Sequence, residues 1–222
     1  MPRPRRFIYA GHCYHVLNRA NRGQNIFHAS SDYLAFVRLM RLAQARLHLP
    51  LIASCLMPNH FHLVVRPEQD GDIGKWLHWL CTTHARHHHK KYSTIGRLWQ
   101  GRFKAFLVQD DHYLLTLIRY VERNALRKNL VQRAEDWRWG SLNWRTRNCP
   151  LMPLTPSPVA LPRGWTEWVN LPQTAAELEA IRTSVNRQRP FGDAKWVIEK
   201  ARDSALEQSL ANVGRPRRER QA

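Results

Sequence analysis

The chain has 222 residues, of which 43% are hydrophobic, and its 35 Lys and Arg against 17 Asp and Glu give a formal net charge of +18. This apolar content is enough for one substantial core and argues against wholesale disorder, while no apolar run reaches the roughly 18 residues that a membrane span requires. The excess of positive charge predicts a polyanionic partner, nucleic acid first and an anionic membrane surface second.

Neither the cysteines nor the N-terminus points to secretion. No apolar run of signal-peptide length follows the basic segment from Met1 to Arg6. The cysteines are widely spaced, without the C-x-x-C pair of a zinc ribbon and without a disulfide framework; they are Cys13, Cys55, Cys81 and Cys149. We therefore expect a cytoplasmic protein with buried, reduced thiols.

The first part of the chain alternates between strand and helix patterns. Aromatic and β-branched residues predict a strand over Cys13 to Leu17, and Asn18 to Gln24 is typical of a polar, arginine-bearing loop. Asp32 is a suitable N-cap for a helix that continues to about His48. One face of this helix collects the apolar side chains of Phe36, Leu39, Met40, Ala43 and Leu47.

A β-hairpin is expected next, with Leu51 to Leu56 as its first strand, a turn at Met57-Pro58-Asn59, and His60 to Val65 as its second strand. A helix from Asp72 to about Lys91 and a strand over residues 103–108 follow. Asp110 or Asp111 then caps a helix that continues to about residue 128. The order βαββαβα predicts an α+β, ferredoxin-like sandwich, with an antiparallel or mixed sheet and its helices on one face.

The composition changes after about Trp144, where closely spaced prolines from Pro150 to Pro162 exclude regular structure. Short helices are predicted over Thr174 to Val185 and Asp193 to Ala211, and a basic tail follows at Gly214 to Arg218. We therefore expect one domain over residues 1–145. Residues 146–222 then form a Pro-rich connection, short helices and the tail.

The most informative local pattern is His60-Phe61-His62. Alternate residues of a strand share a face, so the two imidazoles project together while Phe61 points into the opposite layer. Two imidazoles on a rigid strand suit several divalent metals, and the remaining coordination positions can accept phosphate oxygens. The alternative is a structural or chance origin, because the chain contains 12 histidines.

Tyr120 and Asn124 lie four residues apart on the last helix of the predicted sandwich, and therefore on the same face. Beside the apolar stripe of that helix, they can face a sheet that carries the histidines. A tyrosine can form a covalent intermediate, although its pKa of about 10 demands activation or electrophilic help at the phosphate. The alternative is a half-buried aromatic side chain with an incidental polar neighbour.

Several strings resemble those of the REP-associated tyrosine transposases, a branch of the single-strand transposases within the HUH endonuclease superfamily. They are M-P-N-H-F-H-L-V-V from Met57, L-W-Q-G-R-F-K-A-F from Leu98 and R-Y-V-E-R-N-A-L-R from Arg119. N-R-A-N-R-G-Q-N-I-F from Asn18, W-R-W-G-S-L from Trp137 and S-V-N-R-Q-R-P-F-G from Ser184 agree as well. The resemblance covers nearly the whole chain, and it departs at Ala20 and Gln188, where glycine is common in the family.

This resemblance implies a transesterification on DNA without ATP. His60, His62 and Asn124 would hold one Mg²⁺ or Mn²⁺ ion, and Tyr120 would attack a phosphate, form a 5′-phosphotyrosine link and release a 3′-hydroxyl. A later strand transfer reverses the step. The family's substrates, extragenic palindromic repeats folded as single-strand hairpins, imply a bacterial, nucleoid-associated enzyme that works as a monomer or a homodimer.

Recognition of unpaired bases requires stacking surfaces close to cations. The candidates for DNA binding are Arg19 and Arg22 in the first loop, Arg97, Trp99, Gln100, Arg102 and Lys104 near the last strand, and Arg123 and Arg127 on the helix of Tyr120. For each arginine the alternative is a solvated charge, and for Trp99 it is a place in the core. His84 and the run His87 to His89 are interpreted as a face that contacts the DNA backbone, because no carboxylate or cysteine accompanies them.

Three other functions stay open. The first is a non-catalytic binder of repeat hairpins, which the intact set of site residues disfavours. The second is a zinc-dependent hydrolase that uses water, although no general-base glutamate lies near the histidine pair. The third is a replication initiator or relaxase of the HUH type, for which the chain is short.

Overall fold

The fold is built on one antiparallel sheet of four strands. The computed structural model describes residues 8–147, 150–204 and 206–210. The strands are β1 (Cys13–Arg19), β2 (Leu51–Met57), β3 (His60–Val65) and β4 (Lys104–Val108). They lie in the order β2-β3-β1-β4, and every pairing between them is antiparallel. The predicted hairpin is confirmed as β2-β3, and the α+β sandwich is confirmed with it.

The helices do not share one face, so that expectation was wrong. Helices α1 (Ser30–Arg46) and α2 (Asp72–Tyr92) pack on one face, and α3 (His112–Glu122) packs on the other. In β3, Phe61 belongs to the core beneath α1 and α2, whereas Val64 belongs to the core beneath α3. Both faces of the sheet are apolar, so each requires a covering layer.

The N-cap of α1 is Ala29 rather than Asp32, which stands in the third helical position. The Asp32 carboxylate accepts hydrogen bonds from the backbone N–H groups of His28 and Ala29, and from the side chains of Lys91 and Tyr92 in α2. Burial raises the pKa of Asp32, but these bonds outweigh it and hold the pKa well below its usual range. Asp32 therefore ties α1 to α2 in addition to starting α1.

The last helix of the sandwich is interrupted. The sequence predicts one continuous helix to about residue 128, whereas α3 ends at Glu122 and a separate α4 spans Asn124–Arg127, with the break at Arg123. Of the two candidate caps, Asp111 is the N-cap of α3, and its side chain accepts a hydrogen bond from the backbone of Tyr113 at 2.8 Å.

The C-terminal segment packs against α3. It contains α5 (Ser141–Thr146), α6 (Trp165–Asn170), α7 (Ala175–Arg187) and α8 (Ala194–Asp203). The sequence does not predict α5 or α6, and α8 ends before the predicted Ala211. Cys149, Ala211 and the basic segments at both ends lie outside the described residues. Within the described ranges, no helix combines the length and apolar character that crossing a membrane demands.

Two buried charges on α3 hold this segment in place. The guanidinium of Arg119 donates to three backbone carbonyl oxygens, those of Trp168, Leu171 and Pro172, at 2.8 to 3.0 Å. The carboxylate of Glu122 accepts hydrogen bonds from the side chains of Ser141, Arg145 and Trp165. Since the two anchors lie on either side of Tyr120, the C-terminal packing fixes the helix that carries it.

The segment between α7 and α8 protects the free edge of β4. Phe191 forms a parallel bridge with Val108, and its backbone exchanges hydrogen bonds with Leu107 and Gln109 at 2.8 and 2.9 Å. An unpaired strand edge is a template for aggregation, so this short pairing protects the sheet. Gln188, which ends α7, has a positive φ of 58°, a conformation that favours glycine.

Candidate active site

His60 and His62 lie together on the face of the sheet that α3 covers. Their ring centroids are 5.0 Å apart, and the ring planes are almost perpendicular at 85°. His62 is buried and His60 is half-buried at the start of β3, opposite Arg19 of β1. The pair therefore stands at the border between the core and solvent, where a phosphate can approach it.

A third histidine, which sequence reasoning does not single out, adjoins the pair. The Nε2 atom of His15 lies 2.8 Å from Nδ1 of His62, and the two rings stack with centroids 5.1 Å apart. His15 is buried in β1, the strand that pairs with β3. The sequence shows that His15 lies in an apolar strand, which indicates a buried imidazole. Its contact with His62, however, depends on the pairing of β1 with β3.

Helix α3 brings Tyr120 to these histidines. The Tyr120 ring centroid is 5.8 Å from that of His62 and 6.3 Å from that of His15, and both contacts are edge-on. On its other side, the guanidinium carbon of Arg127 lies 4.5 Å from the centre of the Tyr120 ring, within the range of a cation–π contact. A phenol, imidazoles and a guanidinium therefore meet at one place.

Asn124 lies one turn after Tyr120 and one turn before Arg127. Residues spaced four and seven apart share a helix face, so Asn124 lies on the face that carries both neighbours. Its side chain is 1% exposed, and among the described residues neither Oδ1 nor Nδ2 has a hydrogen-bond partner. An unpaired buried amide costs about 1–3 kcal/mol, so Asn124 is poised to bind a further group.

Burial keeps the three imidazoles neutral. Burial, with a smaller contribution from nearby cationic side chains, lowers the pKa of His60 to about 4. Burial and then the adjacent histidines drive the pKa of His62 well below its usual range, and burial lowers the pKa of His15 to about 3. The neutral imidazole is the form that binds a metal ion.

The side chains of His60, His62 and Asn124 are suitable ligands for a divalent metal ion. In the described parts of the chain, no group of three His, Cys, Asp or Glu side chains is arranged to hold a metal. A site at His60 and His62 therefore needs another oxygen, and the buried, unpaired Oδ1 of Asn124 is suited to supply it. Two imidazole nitrogens and one amide oxygen accept several divalent ions and leave positions open for phosphate oxygens.

Five of the nine predicted DNA-binding side chains are exposed, and one of them, Arg19, pairs with His60 in the sheet. Those exposed to solvent are Arg19, Arg22, Arg97, Gln100 and Arg102. Strand β1 extends to Arg19, beyond the predicted Leu17, and its end is joined to the loop before β4, because the backbone N–H of Gln100 donates to the carbonyl of Arg19 at 2.9 Å. Arg127 is half-buried over Tyr120 instead.

Three other candidates are engaged within the protein. Trp99 is 8% exposed and donates its indole N–H to the carbonyl of Cys81 at 3.2 Å, so it occupies the core and offers no exposed stacking surface. The ammonium of Lys104 donates to the carbonyl of Val185. Arg123 donates to two backbone carbonyl oxygens of α6.

The histidine run is not one solvent face either. His84 and His88 are buried against aromatic side chains, His89 is half-buried, and within this run His87 is the exposed residue. Because of this burial, His84 and His88 are unavailable to a DNA backbone.

Residues 9–124 match the family model described as "Transposase IS200 like". The match covers more than half of the chain and contains His60, His62, Tyr120 and Asn124. The chain belongs to the IS200-like transposase family.

Two known proteins are similar to this IS200-like transposase. A curated protein of Haemophilus influenzae, named as a REP-associated tyrosine transposase, is 28% identical over 103 residues, which are 41% of this chain and 58% of the relative. The chain thus spans less than two thirds of that relative's length. A solved structure of a REP-associated tyrosine transposase bound to a REP hairpin superposes with a TM-score of 0.54 at 16% identity, over 72% of this chain and 94% of the other. That likeness shows a shared fold.

Proposed function

We propose that this IS200-like transposase cleaves and rejoins single-stranded or hairpin DNA of the repetitive extragenic palindromic type through a covalent 5′-phosphotyrosine at Tyr120. The observation that carries the proposal is the convergence of Tyr120 with His60 and His62, at 5.8 Å between the ring centroids of Tyr120 and His62. A nucleophile beside a metal-binding pair is the arrangement that phosphoryl transfer uses. The net charge of +18 supports a polyanionic substrate.

The bonds exchange one for one in the proposed step. The phenolic oxygen of Tyr120 bonds to the phosphorus, and the bond from phosphorus to the 3′ oxygen of the preceding nucleotide breaks. The phenol loses its proton, and the departing oxygen takes one up to become a 3′-hydroxyl. A Mg²⁺ or Mn²⁺ ion held by His60, His62 and Asn124 would neutralise negative charge on the phosphate. Attack by another strand's 3′-hydroxyl restores the phenol, so no ATP is consumed.

Arg127 positions the nucleophile in this proposal. Its guanidinium covers one face of the Tyr120 ring, and its Nε is buried without a hydrogen-bond partner among the described residues. Its unpaired N–H can donate a charge-assisted hydrogen bond to a phosphate oxygen beside Tyr120. Arg127 is therefore proposed to hold the Tyr120 ring and the DNA phosphate next to each other.

His15 positions His62. Since Nε2 of His15 and Nδ1 of His62 are 2.8 Å apart, one nitrogen donates and the other accepts. When Nδ1–H of His62 donates, its Nε2 keeps the lone pair that a metal ligand needs. His15 thereby fixes both the tautomer and the orientation of the imidazole.

This role predicts different effects for two replacements of His15. His15→Phe keeps an aromatic ring but loses the acceptor, and is expected to weaken Mn²⁺ binding about 10- to 100-fold. His15→Gln offers an amide oxygen near the same place and is expected to retain most of the affinity. Calorimetric Mn²⁺ titration measures both, with thermal unfolding as the control for folding. Mn²⁺ affinity that is equal in His15→Phe and the wild type would contradict the role.

The DNA is proposed to follow the exposed surface beside His60. Arg19, Arg22, Arg97 and Arg102 supply the phosphate contacts, because they are exposed and lie near the point where the end of β1 joins the loop before β4. In this view residues 1–145 form the catalytic domain, and residues 146–222 form an extension, of which α6 and α7 pack against α3. We place the enzyme with the bacterial nucleoid, as a monomer or a homodimer on its hairpin.

The polarity of the covalent product tests the proposed function. A hairpin DNA with a single-stranded flank is labelled at either end, incubated with the protein and Mn²⁺, and resolved by denaturing electrophoresis. A 5′-phosphotyrosine is expected to move the 3′ label into the protein band and to release the 5′ label as a shorter free strand. Free 5′-phosphate ends without adduct would indicate the zinc-type hydrolase instead. Hairpin binding without cleavage would indicate a binder.

A further inference from the structure

The turn that joins β2 to β3 places an asparagine directly before the first histidine of the candidate metal site. Oδ1 of Asn59 lies 2.6 Å from Nδ1 of His60, and Nδ2 of Asn59 donates to the backbone carbonyl of Gly23 at 2.8 Å. One amide group therefore connects His60 to the loop that follows β1 (residues 20–29). This amide takes no part in the proposed chemical step, so its position requires a separate explanation.

The Gly23 carbonyl determines which end of the Asn59 amide faces His60. A carbonyl oxygen can only accept hydrogen bonds, so the atom of Asn59 that faces it must be the amide nitrogen. The amide oxygen then faces His60, and this oxygen too can only accept. Nδ1 of the neutral His60 ring must therefore carry the hydrogen. Nε2 of His60 is left with the lone pair that a metal ligand needs.

The backbone of the loop after β1 directs the Gly23 carbonyl toward Asn59. Arg22 and Gly23 both have left-handed backbone angles, with φ of 54° and 68°. A Cβ atom at Gly23 would also lie only 3.3 Å from the guanidinium of Arg19, so glycine suits this position on two counts. The Arg22-Gly23 pair of the family-like string that begins at Asn18 therefore has a structural consequence at the candidate metal site.

Backbone hydrogen bonds fasten the same loop to the turn before β3. The N–H of Ala20 donates to the carbonyl of Asn59 at 2.8 Å. The N–H groups of Ile26 and Phe27 donate to the carbonyl of Pro58 at 2.9 and 3.1 Å. The side chains of Ile26 and Phe27 belong to the core beneath α1 and α2. The loop and the turn are therefore held together, and the Asn59 amide has a fixed orientation between them.

We propose that Asn59 is a positioning residue for His60. It fixes the Nδ1–H tautomer and the orientation of the ring, so that Nε2 of His60 is free to bind the metal ion, and the Gly23 carbonyl holds Asn59 in this role. Asn59 thus does for His60 what His15 does for His62, from a different part of the chain. The inference rests on the proposed function for the identity of the metal ion, whereas the tautomer of His60 is a property of the metal-free protein.

The tautomer of His60 in the metal-free wild type tests the proposal without any change at Asn59. Proton–nitrogen NMR spectra of protein with isotope-labelled histidine distinguish protonated from unprotonated ring nitrogens. The signals of His60 are those that His60→Gln protein lacks. At neutral pH, Nδ1 of His60 should carry the hydrogen and Nε2 should be unprotonated. A His60 ring protonated at Nε2, or an even mixture of the two tautomers, would overturn the proposal.

Two replacements of Asn59 separate its hydrogen bonds from its bulk. Asn59→Leu keeps a side chain of similar size and loses the acceptor, and leucine suits the backbone there because Asn59 is half-buried and has no positive φ. This variant should lose the preference for the Nδ1–H tautomer and bind Mn²⁺ about 10- to 100-fold more weakly in calorimetric titration. Asn59→Asp keeps an acceptor for Nδ1–H, so it should retain both the tautomer and most of the Mn²⁺ affinity.

Asn25→Leu is the matched control, because Asn25 is an exposed asparagine of the same loop. It should leave the tautomer of His60 and the Mn²⁺ affinity as in the wild type. Wild-type Mn²⁺ affinity in folded Asn59→Leu protein would overturn the proposal, and so would an equal loss in Asn59→Leu and Asn59→Asp. Neither measurement depends on cleavage. A wild type that shows the expected tautomer and Mn²⁺ binding but forms no DNA adduct would remove the proposed function and leave the role of Asn59 standing.

Discussion

Replacing Tyr120 with Phe is expected to abolish the covalent protein–DNA adduct, with a loss of cleavage rate of at least about a thousandfold. The change removes only the phenolic oxygen, which is the proposed nucleophile. The ring that contacts His62 edge-on and lies beneath Arg127 remains. Denaturing electrophoresis of 3′-labelled hairpin DNA with Mn²⁺ measures the adduct directly.

Tyr113 provides the matched control for this experiment. It lies on the same helix, but its ring packs against Phe191 and His112 rather than against His60 or His62. Tyr113→Phe should therefore form adduct like the wild type. An adduct that persists in Tyr120→Phe would remove the assignment of the nucleophile, and an equal loss in both variants would point to a general disturbance of α3.

Replacing His62 with Ala is expected to lower Mn²⁺ affinity and cleavage by more than about a hundredfold, because the loss of an outer-shell partner alone costs about 10- to 100-fold. His62 is buried between His60, His15 and Tyr120, so the change removes an imidazole from the centre of this group. Hairpin binding should stay close to that of the wild type, since the exposed arginines are untouched. Mn²⁺ titration and fluorescence anisotropy with labelled hairpin measure the two effects separately.

The control here is His48→Ala, which changes an exposed histidine that follows α1 and has no predicted contact with DNA. It should leave Mn²⁺ affinity, cleavage and hairpin binding as they are. If folded His62→Ala protein loses hairpin binding together with cleavage, His62 has more than a catalytic role. Unchanged Mn²⁺ affinity in His62→Ala would show that the ion binds elsewhere.

Local patterns were sufficient to predict the elements that carry the candidate site. The alternation over His60 to Val65 and the turn at Pro58 are short-range signals, and β3 begins and ends as they predict. The four-residue spacing of Tyr120 and Asn124 was equally local. It survives the break at Arg123, because Arg123 itself keeps right-handed helical backbone angles.

The features that the sequence did not predict depend on contacts between segments that are distant in the chain. The importance of His15 follows from the antiparallel pairing of β1 with β3, which no local pattern specifies. The burial of Trp99 has the same kind of cause, because Trp99 forms a bridge with Ala20 at the end of β1. Helix α6 is short and follows a proline-rich stretch, so its position is set by the bonds that Arg119 donates to its end.

Tandem mass spectrometry of the trapped adduct, after digestion with trypsin and nuclease, tests most directly whether Tyr120 joins the DNA beside the histidine pair. Trypsin cleaves after Arg119 and Arg123, so the proposed nucleophile begins the peptide Tyr120-Val121-Glu122-Arg123. We predict that this peptide carries the mass of a nucleotide 5′-phosphate on Tyr120. A nucleotide on another tyrosine, or cleaved DNA with no peptide attached, would contradict the proposed mechanism.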